Sequence, residues 1–223
     1  MRRHPGWAGL ISCVCGLVSH YDVYPANRPE TIMNLAHLPG MLFSPGAGWA
    51  DLMHSRPSRA RLLATVFAPF ALIPPAMILI AADDLGSHMF PGVSTATWVL
   101  IATTFLAAEC VTLALMTWTI LETARTHHGV PREYDAFVVA VVAPVPMWLS
   151  ALALPSGSVP LIVACALAGL AASAFLIRHG VRAMLGVREV TDAGSVALIV
   201  TCAGALAWAA MIAIVLVPAM MHS

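Results

Sequence analysis

Apolar residues fill five long runs of this chain, separated by short segments in which glycine, proline and charged residues concentrate. The runs cover about Leu62 to Ala82, Thr97 to Leu121, Ala136 to Leu154, Val159 to Ile177 and Ala193 to Val217. A bilayer core about 30 Å thick is crossed by about 20 helical residues, so each run is long enough to span it. A backbone surrounded by lipid has no water to bond with, and each run is therefore predicted to be α-helical. The connectors are polar. Residues 83–96 hold Asp83, Asp84, Gly86, Pro91 and Gly92, and residues 122–135 hold Arg125, His127, His128, Gly129 and Pro131. Pro155-Ser156-Gly157-Ser158 reads as a tight turn, and residues 178–192 carry Arg178, Arg182, Arg188, Glu189 and Asp192.

Composition agrees with this pattern. Of 223 residues, 60% are hydrophobic and only 10% are charged, against roughly 45–50% and 25% in soluble domains. So few charges cannot cover the surface of a water-soluble globule of this apolarity. The same figures exclude a disordered chain. Eleven arginines balance eleven acids, which argues against a basic nucleic-acid module. There is no lysine, a usage that reads as GC-rich coding and points to a bacterial source.

The arginines fix the predicted orientation. Arg2, Arg3, Arg28, Arg56, Arg59 and Arg61 precede the first run, Arg125 and Arg132 lie between the second and third, and Arg178, Arg182 and Arg188 lie between the fourth and fifth. The remaining soluble segments carry none. With five spans, all eleven fall on one side of the membrane, and the positive-inside rule makes that side cytoplasmic. The expected architecture is an all-α, multi-pass protein with its N-terminus in the cytoplasm and its C-terminus outside, located in the cell membrane (the inner membrane of a bacterium).

Three regions follow. Residues 1–32 read as a poorly ordered upstream extension, with Met33 as the working start. A basic start followed by a short apolar run also resembles a signal peptide, and Leu10-Ile11-Ser12-Cys13 faintly resembles a lipoprotein box. The arginines that follow, on a side predicted to be cytoplasmic, oppose both. Residues 33–60 read as a cytoplasmic interfacial segment. Ser44-Pro45 is a helix start signal, Pro57 ends the run, and Trp49, Leu52 and Met53 share a helical face. That helix is expected to lie on the inner membrane surface, anchored by Trp49 and the arginines beyond it. Residues 61–220 form the five-span domain.

Chemistry is sparse. Glu109 is the one acid in the middle of a run, where a charge costs about 2.5–3.5 kcal/mol on insertion scales. Thr112 is its nearest polar neighbour on the same helical face. Glu109 and Thr112 are the candidate intramembrane polar site. The carboxyl is expected to face the bundle interior, either protonated as a proton or cation site or hydrogen-bonded to a neighbouring helix. Asp83, Asp84 and His88 offer oxygen and imidazole donors near a span end, yet one loop rarely completes a metal site, and no metal site or cofactor is expected. His127 and His128 read as solvated. Cys110, Cys165 and Cys202 sit in apolar runs, where cysteine acts as a small hydrophobe. Cys13 and Cys15 lack the second ligand pair of a zinc site. Pro69, Pro74, Pro75, Pro144 and Pro146 lie inside runs, where each removes a backbone donor and can kink its helix. Ala164, Ala166, Ala168, Gly169, Ala171, Ala172, Ser173 and Ala174 make the fourth run suitable for close helix contact, in a tight bundle or an oligomer. Metalloprotease, nucleophile-elbow, P-loop and dinucleotide fingerprints are absent.

Three stretches carry a family resemblance. MNLAHLPGMLFSPGAGWADL places Pro45 and Trp49 ahead of the first span; PREYDAFVVAVVAPVPMWLSAL places Tyr134 and Pro146 at the start and break of the third; FLIRHGVRAMLGV closes the fourth. From Met33 to Pro218 the chain resembles the Yip membrane-domain family, named for proteins that interact with Ypt/Rab GTPases. The resemblance implies five spans, a cytoplasmic N-terminus, a role in membrane organisation or trafficking, and no catalytic residues. Eukaryotic members bind prenylated small GTPases, and this chain lacks their long acidic or polar cytoplasmic region. The expected activity is that of a non-enzymatic scaffold or adaptor. Its expected partners are the lipid bilayer and other membrane proteins or a second copy, and not nucleic acid. Its cytoplasmic basic loops, with Arg56, Arg59, Arg61, Arg178, Arg182 and Arg188, are placed to touch anionic lipid headgroups. The alternatives are a small transporter or ion-conducting protein using Glu109, and an intramembrane enzyme using Asp83, Asp84 and His88.

Overall fold

The computed structural model describes residues 45–127, 131–187 and 189–221. The extension at 1–32, the residues up to Ser44, His128 and Arg188 lie outside the described residues, as does the side chain of Asp84. Five helices are long and apolar enough to cross a membrane: Arg59–Ala81, Thr95–Thr126, Glu133–Ser156, Val159–Met184 and Thr191–Met221. They are the first to fifth spans. Each contains a run predicted from the sequence and extends beyond it at one end or both, except that the first ends at Ala81, one residue short. The protein is an all-α, multi-pass membrane protein, with no strand among the described residues. A further helix, α1 (Pro45–Ser55), precedes the first span.

Local chemistry sets the helix ends. The Ser58 side chain caps the first span by accepting from the Arg61 N–H, and Ser94 caps the second by accepting from the Thr97 N–H. Each satisfies a donor that the first helical turn leaves unpaired. Between the third and fourth spans the chain reverses through Gly157 at φ +66°, a left-handed conformation that glycine adopts without a Cβ penalty.

The prolines act where the sequence placed them. The first span passes through a π turn at Leu63–Phe67, then through short helices at Ala68–Ala71 and Ile73–Ala81. Pro69, Pro74 and Pro75 cannot donate to the carbonyls four residues earlier, so the helix is rewound around those gaps. The third span breaks between Glu133–Val142 and Val145–Ser150, at Pro144 and Pro146. It then tightens into a 3₁₀ turn at Ala151–Ser156.

The third span is the centre of the bundle. It packs on the first, second and fourth, while the second and fifth pack against one another. Val138, Val139, Val141 and Val142 are almost wholly buried in a core that also takes in Leu62, Val66, Ile120, Val181 and Val196. A smaller cluster at the opposite end joins Ile78, Trp98, Ile101 and Ala219. The fourth span approaches closest at Gly169, where an added Cβ would lie 2.9 Å from the Pro146 carbonyl oxygen. Of the small-residue run, Gly169 and Ser173 face into the bundle, whereas Ala164, Ala168 and Ala171 face outward.

The position of α1 differs from expectation. Its helix is present, but Trp49 and Leu52 are buried against protein instead of lipid, and Met53 is 40% exposed. Trp49 packs on Gly180 of the fourth span, and Val139 of the third flanks the same point. An indole plane fits closely against a helix that lacks a Cβ at that point, so the glycine makes the seat.

Candidate functional site

The polar chemistry gathers in two places. The first is a three-span junction within the bundle. Glu109 lies near the middle of the second span and is only 7% exposed. The broken third span brings the Trp148 indole near its carboxyl. On its other side Trp148 meets Phe67 of the first span edge to face, with ring centroids 5.6 Å apart. Glu109 Oε2 remains buried without a hydrogen-bond partner. An unpartnered buried polar atom costs roughly 1–3 kcal/mol, so this junction stores a penalty that an apolar residue would remove.

The second place is the arginine-bearing end of the bundle. Arg56, Pro57 and Ser58 connect α1 to the first span, and the start of the third span meets them. The Tyr134 hydroxyl donates to the Pro57 carbonyl at 2.6 Å. Arg56 Nη2 lies 4.0 Å from Asp135 Oδ1, with the Asp135 side chain only 9% exposed. Arg59 Nη2 lies 3.6 Å from Glu133 Oε2, and its guanidinium sits over the Phe137 ring at 5.7 Å. Arg56 itself has φ +37°, the sole non-glycine residue with positive φ among the described residues. A left-handed residue is a common way to end a helix, but glycine usually fills the position because a side chain there is strained. An ion-pair contact of 3.8 Å between His127 and Asp192, effective when the imidazole is protonated, joins the end of the second span to the start of the fifth.

The remaining predicted residues fall as follows. Thr112 is half-buried and makes no hydrogen bond to Glu109; the indole near that carboxyl comes from the third span. Asp83 and His88 are exposed at the turn after the first span. Among the described residues, no group of three His, Cys, Asp or Glu is placed to hold a metal ion. Arg56 and Arg59 are engaged within the protein. Arg132, Arg178 and Arg182 are exposed with no ionic partner among the described residues. Arg61 sits at the start of the first span.

Sequence reasoning missed the Glu133–Tyr134–Asp135 triplet as the counterpart of Arg56 and Arg59. The signal was present: acids at i and i+2 open one span, bases three residues apart open another, and five alternating spans bring both to one end. It also missed Trp148, whose role depends on how a proline break rotates the helix beyond it.

Compared with known proteins, residues 40–221 match the family model of the Yip1 domain. No curated protein and no solved structure matches the chain.

Proposed function

The chain belongs to the Yip1 domain family, and from that premise we propose that it is a non-enzymatic scaffold or adaptor in membrane organisation or trafficking. Its arginine-bearing end faces the cytoplasm, and it resides in the cell membrane, the bacterial inner membrane if the source is bacterial. One observation carries the reading. The arginine-bearing end is a braced platform: α1 is seated on the third and fourth spans, Arg56 and Arg59 are held by acids, and Arg132, Arg178 and Arg182 point outward. Outward guanidiniums on a fixed frame suit bidentate recognition of carboxylates or phosphates on a partner or on lipid.

The test is photocrosslinking in native membranes. Amine-reactive reagents have no lysine to attack, so a photoreactive residue replaces Arg132 or His179. Specific adducts with a membrane protein or a second copy, lost in Arg178→Ala/Arg182→Ala, are the expected result. Lipid-only adducts, unchanged by those substitutions, refute the adaptor reading.

A second reading rests on Glu109. A carboxyl buried among three spans, with one oxygen unpartnered, is the usual mark of a proton or cation path. Purified protein in vesicles then shows pH-dependent flux that Glu109→Gln abolishes. Absence of flux in the wild type removes this reading and leaves the scaffold proposal standing.

A further inference from the structure

The seat of α1 is tight, yet two features of the docked state are costly and a third holds it only weakly. Trp49 is wholly buried, and its indole Nε1 has no hydrogen-bond partner. Arg56, in the connector, is held at φ +37°. The Arg56–Asp135 contact is long at 4.0 Å, and the Arg56 side chain is 48% exposed. Strained or unsatisfied groups persist only where their surroundings hold them, and they cluster at elements that switch. Beside the burial of Trp49 and Leu52 and the two ion pairs, the connector is held by one hydrogen bond, Tyr134 hydroxyl to Pro57 carbonyl.

The same helix has a second environment that removes these penalties. A tryptophan prefers the membrane interface, where its ring is buried and its N–H is wet. Trp49 and Leu52 share one face of α1, while Asp51 and His54 are exposed, the layout of a helix that lies in the headgroup plane. Arg56 and Arg59 flank the hinge, and anionic headgroups compete with Asp135 and Glu133 for both.

We propose that α1 is a two-position strap: docked on the third and fourth spans through Trp49 and Gly180, or released onto a bilayer surface rich in anionic lipid, with Arg56 to Ser58 as its hinge. Release frees the Trp49 N–H, relaxes Arg56 and uncovers the Gly180 seat. Anionic lipid is the occupant of the released face because the groups at the hinge are guanidiniums and the face itself is Trp49 and Leu52. The proposal concerns the same end of the bundle as the scaffold reading, but its test reads only how one helix partitions between protein and lipid.

The experiment is a distance measurement by pulsed electron resonance on the full chain. Serine replaces the native cysteines, and spin labels are attached at Asp51→Cys and Thr126→Cys, both exposed positions. The protein is placed in nanodiscs of phosphatidylcholine alone or mixed with phosphatidylglycerol. One distance is expected in phosphatidylcholine. A second, longer population is expected in the anionic mixture, with the released-to-docked ratio raised roughly thirtyfold for two arginines near an anionic surface at about 1 kcal/mol each. High salt should reverse the shift. Tyr134→Phe, which removes only the holding hydroxyl, should raise the second population in phosphatidylcholine. A single unchanged distance in both bilayers and in Tyr134→Phe overturns the strap. Equal released fractions in the two bilayers overturn the role of anionic lipid.

Discussion

Gly180→Ala tests the seat of α1 directly. The added Cβ would stand 2.8 and 2.9 Å from Trp49 Cζ2 and Cη2, and 3.2 Å from Val139 Cγ2. The first two separations are shorter than real Cβ contacts, so something must move. Val139 lies in the bundle core and Trp49 is fully buried. Trp49 can retreat only if α1 lifts. Overpacking of this kind costs about 1–3 kcal/mol. Alanine also favours helix over glycine by about 0.8–1 kcal/mol, but that gain is present whether α1 is docked or not. It cancels from the docking equilibrium and offsets the strain only in global stability. Docking therefore bears the whole penalty, which at 1.36 kcal/mol per tenfold is a 5- to 150-fold rise in the open population. Hydrogen exchange of the α1 amides reads that population, and exchange at 45–55 should accelerate by this factor while the core of the third span stays protected. Trp49→Phe lacks both clashing atoms and should recover slow exchange in the Gly180→Ala background. Gly194→Ala, with nothing within 4 Å of the new Cβ, should leave α1 unchanged. Unaltered α1 exchange in Gly180→Ala, or a simple sum of losses in the double variant, refutes the seat.

Three further outcomes are expected. Gly169→Ala drives a Cβ to 2.9 Å from the Pro146 carbonyl, a backbone atom that cannot swing aside, so its melting temperature in detergent should fall well below that of Gly204→Ala, whose nearest atom is Met116 Cε at 3.7 Å. Trp148→Phe keeps a ring against Phe67 but removes the indole N–H near Glu109, and a buried carboxyl left without a polar neighbour costs about 1–3 kcal/mol. Glu109→Gln should cost less in that background than in the wild type, read as a double-mutant cycle on thermal stability. Reporter fusions after Arg132 and after Gly186 should report cytoplasm and one after Val217 the exterior, and a cytoplasmic signal from the last rejects the proposed orientation.

The spans were legible because membrane helices declare themselves twice, in apolar length and in the charges between runs. Leu62 to Ala82 and its four counterparts needed no tertiary information. Glu109 was legible as a buried group for the same reason: an acid in the middle of an apolar run has nowhere to go but inward. Its partner was not. Thr112 shares its helical face, yet a side chain one turn away on the same helix points along the surface, whereas Trp148 reaches across from another span. That approach depends on the break at Pro144 and Pro146, and a proline announces a break without stating where the following turn will aim. The α1 helix shows the same limit. Its caps and apolar face are local properties, so the sequence predicts the helix, but Trp49 suits a lipid interface and a protein groove equally well. Only Gly180, more than a hundred residues away, decides between them.

That ambiguity has a general physical source in this chain. In water, apolar surface identifies the core because solvent rejects it. In a bilayer the solvent is as apolar as the core, and hydropathy no longer separates the two. The third span is buried over 50% of its apolar window and the fifth over 11%, yet their mean hydropathies are 2.2 and 2.4. What distinguishes the third is its shape and its polar ends. Valines on several sides make a slim, stiff surface that neighbours can surround, the prolines open backbone that adjacent spans must cover, and Tyr134 and Asp135 bind the connector of α1 at its start. Centrality in this bundle is thus set by the few residues that lipid cannot satisfy. The same criterion ranks the variants: changes at Tyr134, Trp148, Gly169 and Gly180 should disturb the protein more than larger apolar substitutions at Leu198 or Leu206, which are 65% and 73% exposed.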